Sequence, residues 1–384
     1  MKALFIFGTR PEAIKMAPVI KVFRSCGLLE PVVAVTGQHR GMLDQVLDFF
    51  GIVPDYDLDL MTSGQSLCKL TGRAIIGLEG IVEDVRPDIV LVQGDTTSAF
   101  AGAYVGFLKQ VAVAHIEAGL RTGNRNEPFP EEINRQLVGN LADLHFCPTK
   151  MASANLIAEG KTDGVHVVGN TVIDALLDGL RILGDDWHPS LTELNVMNKP
   201  AGAVLITIHR RESFGEVLQG ILSAIKRLAE AHPEMSFVFP VHPNPNIRKP
   251  VIERLGGIDN LILTDPLDYP NFIWAMSKAR LIITDSGGVQ EEAPTLGVPV
   301  LVVRNVTERQ EGVAAGVATL GGTDEETIVV EAKRFLAAEP RHCLANPYGD
   351  GGSALRIHDL CLARLRLRPN TQDMEASRLS PPNA

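Results

Sequence analysis

Short, uninterrupted apolar runs that alternate with stretches of helical periodicity constrain this chain more than any other feature. In the first half the runs are KALFIF (2–7), VVAVT (32–36), IVLVQ (89–93) and VAVAHIE (111–117), with further strand signals at 144–147 and 165–168. A strand that is apolar on both faces must be covered on both faces, which is the condition of a parallel sheet between helices. The pattern loosens from about Leu176 to Lys199, where GDDWHP (184–189) and NKP (198–200) carry turn chemistry. It then restarts with AVLITIH (203–209), MSFVFPVH (235–242), LILT (261–264), LIIT (281–284) and VPVLVV (298–303). The expectation is an α/β chain of two doubly wound, Rossmann-like domains facing a cleft, the first over 1–175 and the second over 176–353. Ligands of such sheets sit beyond the carboxyl ends of the strands, so the cleft is the expected site. NPYGDGG (346–352) reads as a loop, about 354–368 as a helix, and 369–384, rich in Pro, Ser and Asn, as a tail.

The totals narrow the function. With 384 residues, 45% of them hydrophobic, two cores can form without disulfides or metals. The formal charge of −10 argues against nucleic acid as a partner, although a local positive site could still take a nucleotide. No apolar stretch is long enough for a bilayer, and the opening residues are not a signal peptide. Cys26, Cys68, Cys147, Cys343 and Cys361 are odd in number and scattered, without a CxxC pair. They read as reduced thiols of a cytoplasmic protein, with no structural zinc and no membrane.

Two turns carry phosphate-binding chemistry. In TDSGGVQEEAP (284–294) a strand meets Asp285-Ser286-Gly287-Gly288 and a helix then opens. Glycine lets backbone approach a phosphate, and a helix start favours an anion. Glu292, one turn in, could accept hydrogen bonds from ribose hydroxyls. The alternative is a plain strand–turn–helix with a serine cap. His209-Arg210-Arg211 and Thr307-Glu308-Arg309 follow other strands of the same domain and bring cations to the same edge. GTRPEAIKMAP (8–18) is the matching turn of the first domain. It is either a βα loop with proline at the helix start or a site presenting Arg10 and Lys15. No GxGxxG stands at a strand end, so a bound dinucleotide cofactor is not expected. Asp95, Glu117 and Glu131 follow strand ends or sit in the loops beyond them. Each alone could be a cap or a solvated charge, and Asp95 before Thr96-Thr97 looks like an N-cap; as a cluster they suggest acid–base work.

The chain resembles the non-hydrolysing UDP-N-acetylglucosamine 2-epimerases. The likeness runs through GTRPEAIKMAPV, TGQHRGMLDQVL, QGDTTSAFAGA, HIEAGLRTGNRNEPFPEEINRQL, GNTVIDAL, ITIHRRESFG, VHPNP, TDSGGVQEEAPTLGVPVLV, TERQEGVAAG and NPYGDG. It implies a glycosyltransferase-B-type fold, UDP held mainly by the second domain, and a C-terminal helix packed back on the first. It implies substrate contacts from Arg10, Lys15, Arg135, Phe272, Ser286, Gly287, Gly288, Glu292 and Arg309, and catalysis by Asp95, Glu117, Glu131 and His209. Gln38, Arg210 and His242 match positions tied to regulation by a second UDP-N-acetylglucosamine, whereas Gly41 and Gly64 offer no side chain there. The sequence departs from the family at Tyr269-Pro270-Asn271-Phe272 and at Gln310, where proline is usual after Arg309. The family also implies a homodimer and surface-polysaccharide supply.

The chemistry suits these residues. The hydrogen on carbon 2 is not next to a carbonyl, so its loss is best coupled to expulsion of UDP from carbon 1, giving a glycal. Cations must meet the departing diphosphate, acid–base groups must serve both faces of the sugar, and the intermediate must stay trapped. No metal or redox cofactor is called for. A hydrolysing epimerase, a retaining glycosyltransferase and a silent UDP-sugar sensor are the alternatives.

Overall fold

The computed structural model describes residues 1–37, 40–62, 64–338 and 345–367. Gln38, Cys343 and the tail over 369–384 lie outside the described residues. Two compact units emerge: one comprises Met1–Leu43, Ile52–Thr171 and the chain from Gly352 through its last helix, the other Asp44–Gly51 and Val172–Gly351.

The first unit holds a parallel sheet of β1 (Lys2–Phe7), β2 (Glu30–Val35), β3 (Tyr56–Asp57), β4 (Ile89–Gln93), β5 (Ala112–Ile116), β6 (Leu144–Cys147) and β7 (Val165–Val167), in the order β3-β2-β1-β4-β5-β6-β7. The central strands are buried, β1 from Ala3 onward and Ile89–Gln93 and Ala112–Ile116 at every position. Winding outward from β1 to β3 and then restarting at β4 leaves a switch point between the carboxyl ends of β1 and β4, where the two following loops diverge. The helix Thr97–Leu108 (TSAFAGAYVGFL) comes close to these strands because its small residues permit it. A Cβ at Gly102 would lie 3.0 Å from Val92 Cγ1 and 3.1 Å from Ile6 Cδ1. The closing helix Ser353–Arg366 packs on the helix Arg10–Cys26, with Phe23 edge-on to the buried His358 at 5.0 Å. Arg356 also donates to Val168 O (3.0 Å) and Arg364 to Asp143 (3.2 Å).

The second unit repeats the plan with β8 (Ala203–Thr207), β9 (Ser236–Pro240), β10 (Leu261–Thr264), β11 (Ala279–Thr284), β12 (Val300–Val302) and β13 (Ala318–Leu320), ordered β10-β9-β8-β11-β12-β13. Its switch point lies between β8 and β11. One core face gathers Val204, Ile206, Phe237, Phe239, Leu281 and Ile283 from the strands against Leu218, Ile221, Leu222 and Ile225 of the helix Glu216–Ala231.

One expectation changes. The stretch from Leu176 to Lys199 is not a loose passage: the helix Thr171–Leu183 runs through Leu176, and a 3₁₀ helix, Thr192–Asn198, follows. Ile173, Leu176, Leu194 and Met197 are buried, so turn residues at 184–189 interrupt the fold for only a few positions. Among the described residues no helix is long and apolar enough to cross a membrane, and no group of three or more His, Cys, Asp or Glu is placed to hold a metal ion.

The loop after β5 is fixed by a close approach. Gly119 has φ +88°, and a Cβ there would fall 2.1 Å from Ala152 O. Gly119→Ala is expected to destabilise the first domain by about 2–3 kcal/mol, read as a lowered Tm in thermal unfolding; an unchanged Tm would contradict the assignment.

Candidate active site

At the first switch point, Thr9 caps the helix that follows β1 and Pro11 sits in its first turn. Arg10, the first helical residue, is partly buried; desolvation lowers its guanidinium, and among the described residues it has no carboxylate partner. A half-desolvated cation of this kind favours an incoming anion. Lys15, one turn on, meets Glu117 Oε1 at 2.6 Å.

Glu117 follows β5 with φ +63°, the left-handed region that a side chain enters only at a cost. Asn170 also donates to Oε1 (3.3 Å), and Gln93 donates to Oε2. The carboxylate lies against Gly94, where Glu117 Oε2 would be in ordinary van der Waals contact with a Cβ at 3.7 Å.

Asp95 is not the cap of the next helix. That place belongs to Thr96, whose hydroxyl accepts from Ala99 N at 3.0 Å. Asp95 instead takes Arg135 Nε at 2.7 Å, while Asn134 donates to its carbonyl at 2.9 Å. Burial pushes the Asp95 carboxyl up; Arg135 and Lys15 oppose this and Glu117 adds to it. The structure thus brings together Lys15, Asp95, Glu117 and Arg135. Glu131 opens the helix Glu131–Leu141 partly exposed. Its neighbour Glu132, 1% exposed, makes the contacts to this group, accepting from Arg135 (3.0 Å) and from Thr122 N (3.1 Å).

The second switch point is organised by Asp285, which is fully buried. Its carboxylate accepts from His209 N (3.1 Å), Arg210 N (2.9 Å) and Ser213 Oγ (2.9 Å), and lies 3.2 Å from His209 Nδ1. The imidazole is therefore oriented through Nδ1. Burial lowers its pKa, and Asp285 acts in the opposite sense. The ring is partly exposed and stacks on that of His242 at 6.2 Å.

Ser286 occupies the N-cap position of the helix Gly287–Glu292, yet its hydroxyl makes no capping bond, which leaves that group for a ligand. With only six residues in the helix, its dipole is a small contributor; two guanidinium groups supply the charge. A Cβ on Gly287 would meet Arg309 Nη2 at 3.4 Å and Arg210 Nη2 at 3.5 Å. Arg309 is held by Glu291 (2.5 Å) and Arg210 by Glu308 (2.9 Å). Burial alone would raise the Glu308 carboxyl, but Arg304 and Arg210 hold it at about 2. Gly288 and Glu292 are close neighbours, Glu292 Oε2 standing 3.6 Å from a Cβ at Gly288. Phe272 lies partly buried in the first turn of the helix Tyr269–Lys278.

Both departures from the family are absorbed locally. Asp268 caps Asn271 N (3.0 Å) and takes its side-chain amide (2.7 Å), with Pro270 in the first turn. Gln310 donates to Thr307 O at 2.7 Å.

Sequence reasoning missed Glu12, Gln93, Glu132, Asn170 and Asp285. Glu12 carried a signal, since Thr9 and Glu12 have capping-box spacing; the others carried none that sets them apart from ordinary polar residues. Asp285→Ala leaves buried N–H groups unpaired and is expected to cost about 3 kcal/mol, visible as a lower Tm together with loss of His209 orientation in its imidazole NMR signals. An unchanged Tm and spectrum would contradict this role.

A family model described as UDP-N-acetylglucosamine 2-epimerase matches residues 23–362. A UDP-N-acetylglucosamine 2-epimerase of Escherichia coli (strain K12) is 48% identical over 367 residues, spanning 93% of this chain and 97% of its own length. That of Bacillus subtilis (strain 168) is 46% identical over 379 residues, or 97% and 98% of the two chains. The crystal structure of UDP-GlcNAc 2-epimerase from Neisseria meningitidis bound to UDP-GlcNAc gives a TM-score of 0.83 at 44% identity, covering 94% of this chain and 100% of that one. At 15% identity and TM-score 0.52, a spinosyn rhamnosyltransferase complexed with thymidine diphosphate shares the fold alone, covering 94% and 96%. The two doubly wound sheets are thus of the glycosyltransferase-B type, and the chain belongs to the UDP-N-acetylglucosamine 2-epimerase family.

Proposed function

We propose that this chain is a non-hydrolysing isomerase that interconverts UDP-N-acetylglucosamine and UDP-N-acetylmannosamine by inverting carbon 2. The observation that carries the reading is the cluster at the first switch point, where Asp95 and Glu117 face the counter-cations Arg135 and Lys15. Inversion of a carbon needs a proton removed on one face and delivered on the other, so more than one carboxyl is expected. Transfer of a sugar to an acceptor has no such need.

In this scheme a carboxylate takes the proton from carbon 2 as the bond from carbon 1 to the UDP oxygen breaks. The electron pair of the C–H bond becomes the C1–C2 double bond of 2-acetamidoglucal. Protonation of carbon 2 on the opposite face, with return of UDP oxygen to carbon 1, gives the epimer. Asp95 is the preferred proton carrier, because burial favours its neutral form. Glu117, held by Lys15, Gln93 and Asn170, serves as the second carboxylate, and Glu131 is a third candidate.

UDP is taken by the second domain. Arg309, His209 and the free Ser286 hydroxyl meet the diphosphate, Gly287 and Gly288 let it approach, Glu292 takes the ribose, and Phe272 meets the uracil. Arg10 offers a further cation. Fixed donors of this kind stabilise a departing anion without reorganising, and the cycle consumes neither metal nor redox equivalents. Arg210 and His242 are carried forward as an effector site for a second UDP-N-acetylglucosamine. His242 stacks on His209, so a ligand there would act on the imidazole directly. A homodimer working in the cytoplasm completes the proposal, on family likeness.

The test is a proton NMR time course with UDP-N-acetylglucosamine in heavy water. The expected result is UDP-N-acetylmannosamine carrying deuterium at carbon 2, with little free sugar. Asp95→Asn and Glu117→Gln should each slow the exchange by about 100-fold or more. Free N-acetylmannosamine with stoichiometric UDP would assign the hydrolysing reaction instead, and exchange near the wild-type rate in both variants would remove the carboxylates from the mechanism.

A further inference from the structure

Glu12 is a buried carboxyl that the proton-transfer scheme does not use. It lies one turn into the helix after β1, 1% exposed, and joins the two loops of the first switch point. Oε2 accepts from Gly8 N at 3.0 Å and Thr9 N at 2.8 Å, while Oε1 accepts from Thr96 Oγ1 at 2.6 Å. Arg10 follows Thr9 and Asp95 precedes Thr96, so both charged groups hang from the segments that Glu12 ties together. The surroundings are tight. A Cβ on Gly8 would fall 2.1 Å from Thr36 Oγ1 and 2.4 Å from Ser98 Oγ, two hydroxyls bonded to each other at 2.7 Å.

Around Glu12, its own helix carries Arg10 and Lys15 near it and Lys21 and Arg24 further along; Asp95 stands after β4 and Glu117 after β5. Lys15 is paired with Glu117, and Asp95 with Arg135. The hydrogen-bond partners of Glu12 among the described residues are the amides of Gly8 and Thr9 and the hydroxyls of Thr96 and Thr9. An ionised carboxylate accepts from all of them. A protonated one sets its hydrogen against an amide, which opens that contact, or makes a hydroxyl turn from donor to acceptor. Burial pushes this carboxyl up to about 7, against the hydrogen bonds of Thr96, Thr9 and Gly8 that favour its charged form. The change therefore falls within the working range of an enzyme.

We propose that Glu12 is a positioning residue for inversion at carbon 2: its carboxylate fixes the placement of Asp95 and Arg10, and its protonation releases them, which gives the reaction its acid limb. This rests on the epimerase reading above. Arg10 and Asp95 act on the substrate; Glu12 acts only through them, so its loss should lower kcat more than it alters KM.

The experiment is kcat and KM for UDP-N-acetylglucosamine epimerisation from about pH 5.5 to 9, for the wild type and Glu12→Gln, with thermal unfolding as the check on folding. In the wild type, kcat should fall as pH drops through a midpoint near 7. In Glu12→Gln, kcat at high pH should be about 10-fold lower with KM within about twofold, and the limb should move down by more than about one pH unit. A limb that Glu12→Gln leaves at the wild-type midpoint overturns the proposal alone. A wild type without epimerase activity at any pH overturns the functional reading and the proposal with it. Should Glu12→Gln fail to fold, Thr96→Val removes a donor that favours the charged form. Its midpoint should rise; an unmoved midpoint overturns the proposal.

Discussion

A buried carboxylate that bridges the two loops of a switch point is the interaction on which each half of this protein depends. In the first domain it is Glu12, joining the loop after β1 to the loop after β4. In the second it is Asp285, joining the loop after β11 to the loop after β8. A doubly wound sheet sends neighbouring loops in opposite directions at this point, which exposes backbone N–H groups at the strand ends. Each carboxylate gathers those groups and turns a gap into a defined surface. Arg10 and Asp95 in the first domain, and His209 and Arg210 in the second, then stand at or next to an atom that the carboxylate holds.

The two surfaces differ in charge, and the difference matches the chemistry proposed for them. The first sets acids against bases, Lys15 with Glu117 and Arg135 with both Asp95 and Glu132, so that protons can shift without a large net field. The second turns guanidinium groups of Arg210 and Arg309 over Gly287, with their carboxylate partners Glu308 and Glu291 bound through other nitrogens of those groups. Such a surface is built for a multiply charged anion. Among the described residues four non-glycine positions have left-handed backbone, Asp59, Arg86, Gln110 and Glu117; Glu117, at the end of β5, is the one inside the acid–base cluster, and its bonds to Lys15, Gln93 and Asn170 hold it there.

The sequence reveals what is local and hides what is not. Ile89–Gln93 and Leu144–Cys147 coincide with their apolar runs because strands buried on both faces favour that composition; the edge strand Leu261–Thr264, only partly buried, coincides with its run as well. Tyr56–Asp57 and Ala318–Leu320 pass unnoticed because short edge strands of two and three residues carry no period. Turn chemistry at 184–189 overstated the break between domains, since Leu194 and Met197 beyond it are buried. At the site, Asp95 and Glu117 are legible as acids following strands. Glu12 and Asp285 are not, because each looks like an ordinary cap until strands distant in sequence are placed side by side. Their decisive bonds span 84 and 76 residues. The Glu131-Glu132 doublet is similar: nothing in the sequence says which of the two turns inward.

The central claim is that the domains divide the work, with nucleotide held at the second switch point and proton transfer carried at the first. Calorimetric titration of UDP alone into Arg309→Ala and Asp95→Asn separates the two. The account predicts a Kd raised by about 10-fold or more for Arg309→Ala, the loss of a charge-assisted contact, and a Kd within about twofold of wild type for Asp95→Asn. Weakened binding in Asp95→Asn with wild-type binding in Arg309→Ala would contradict it.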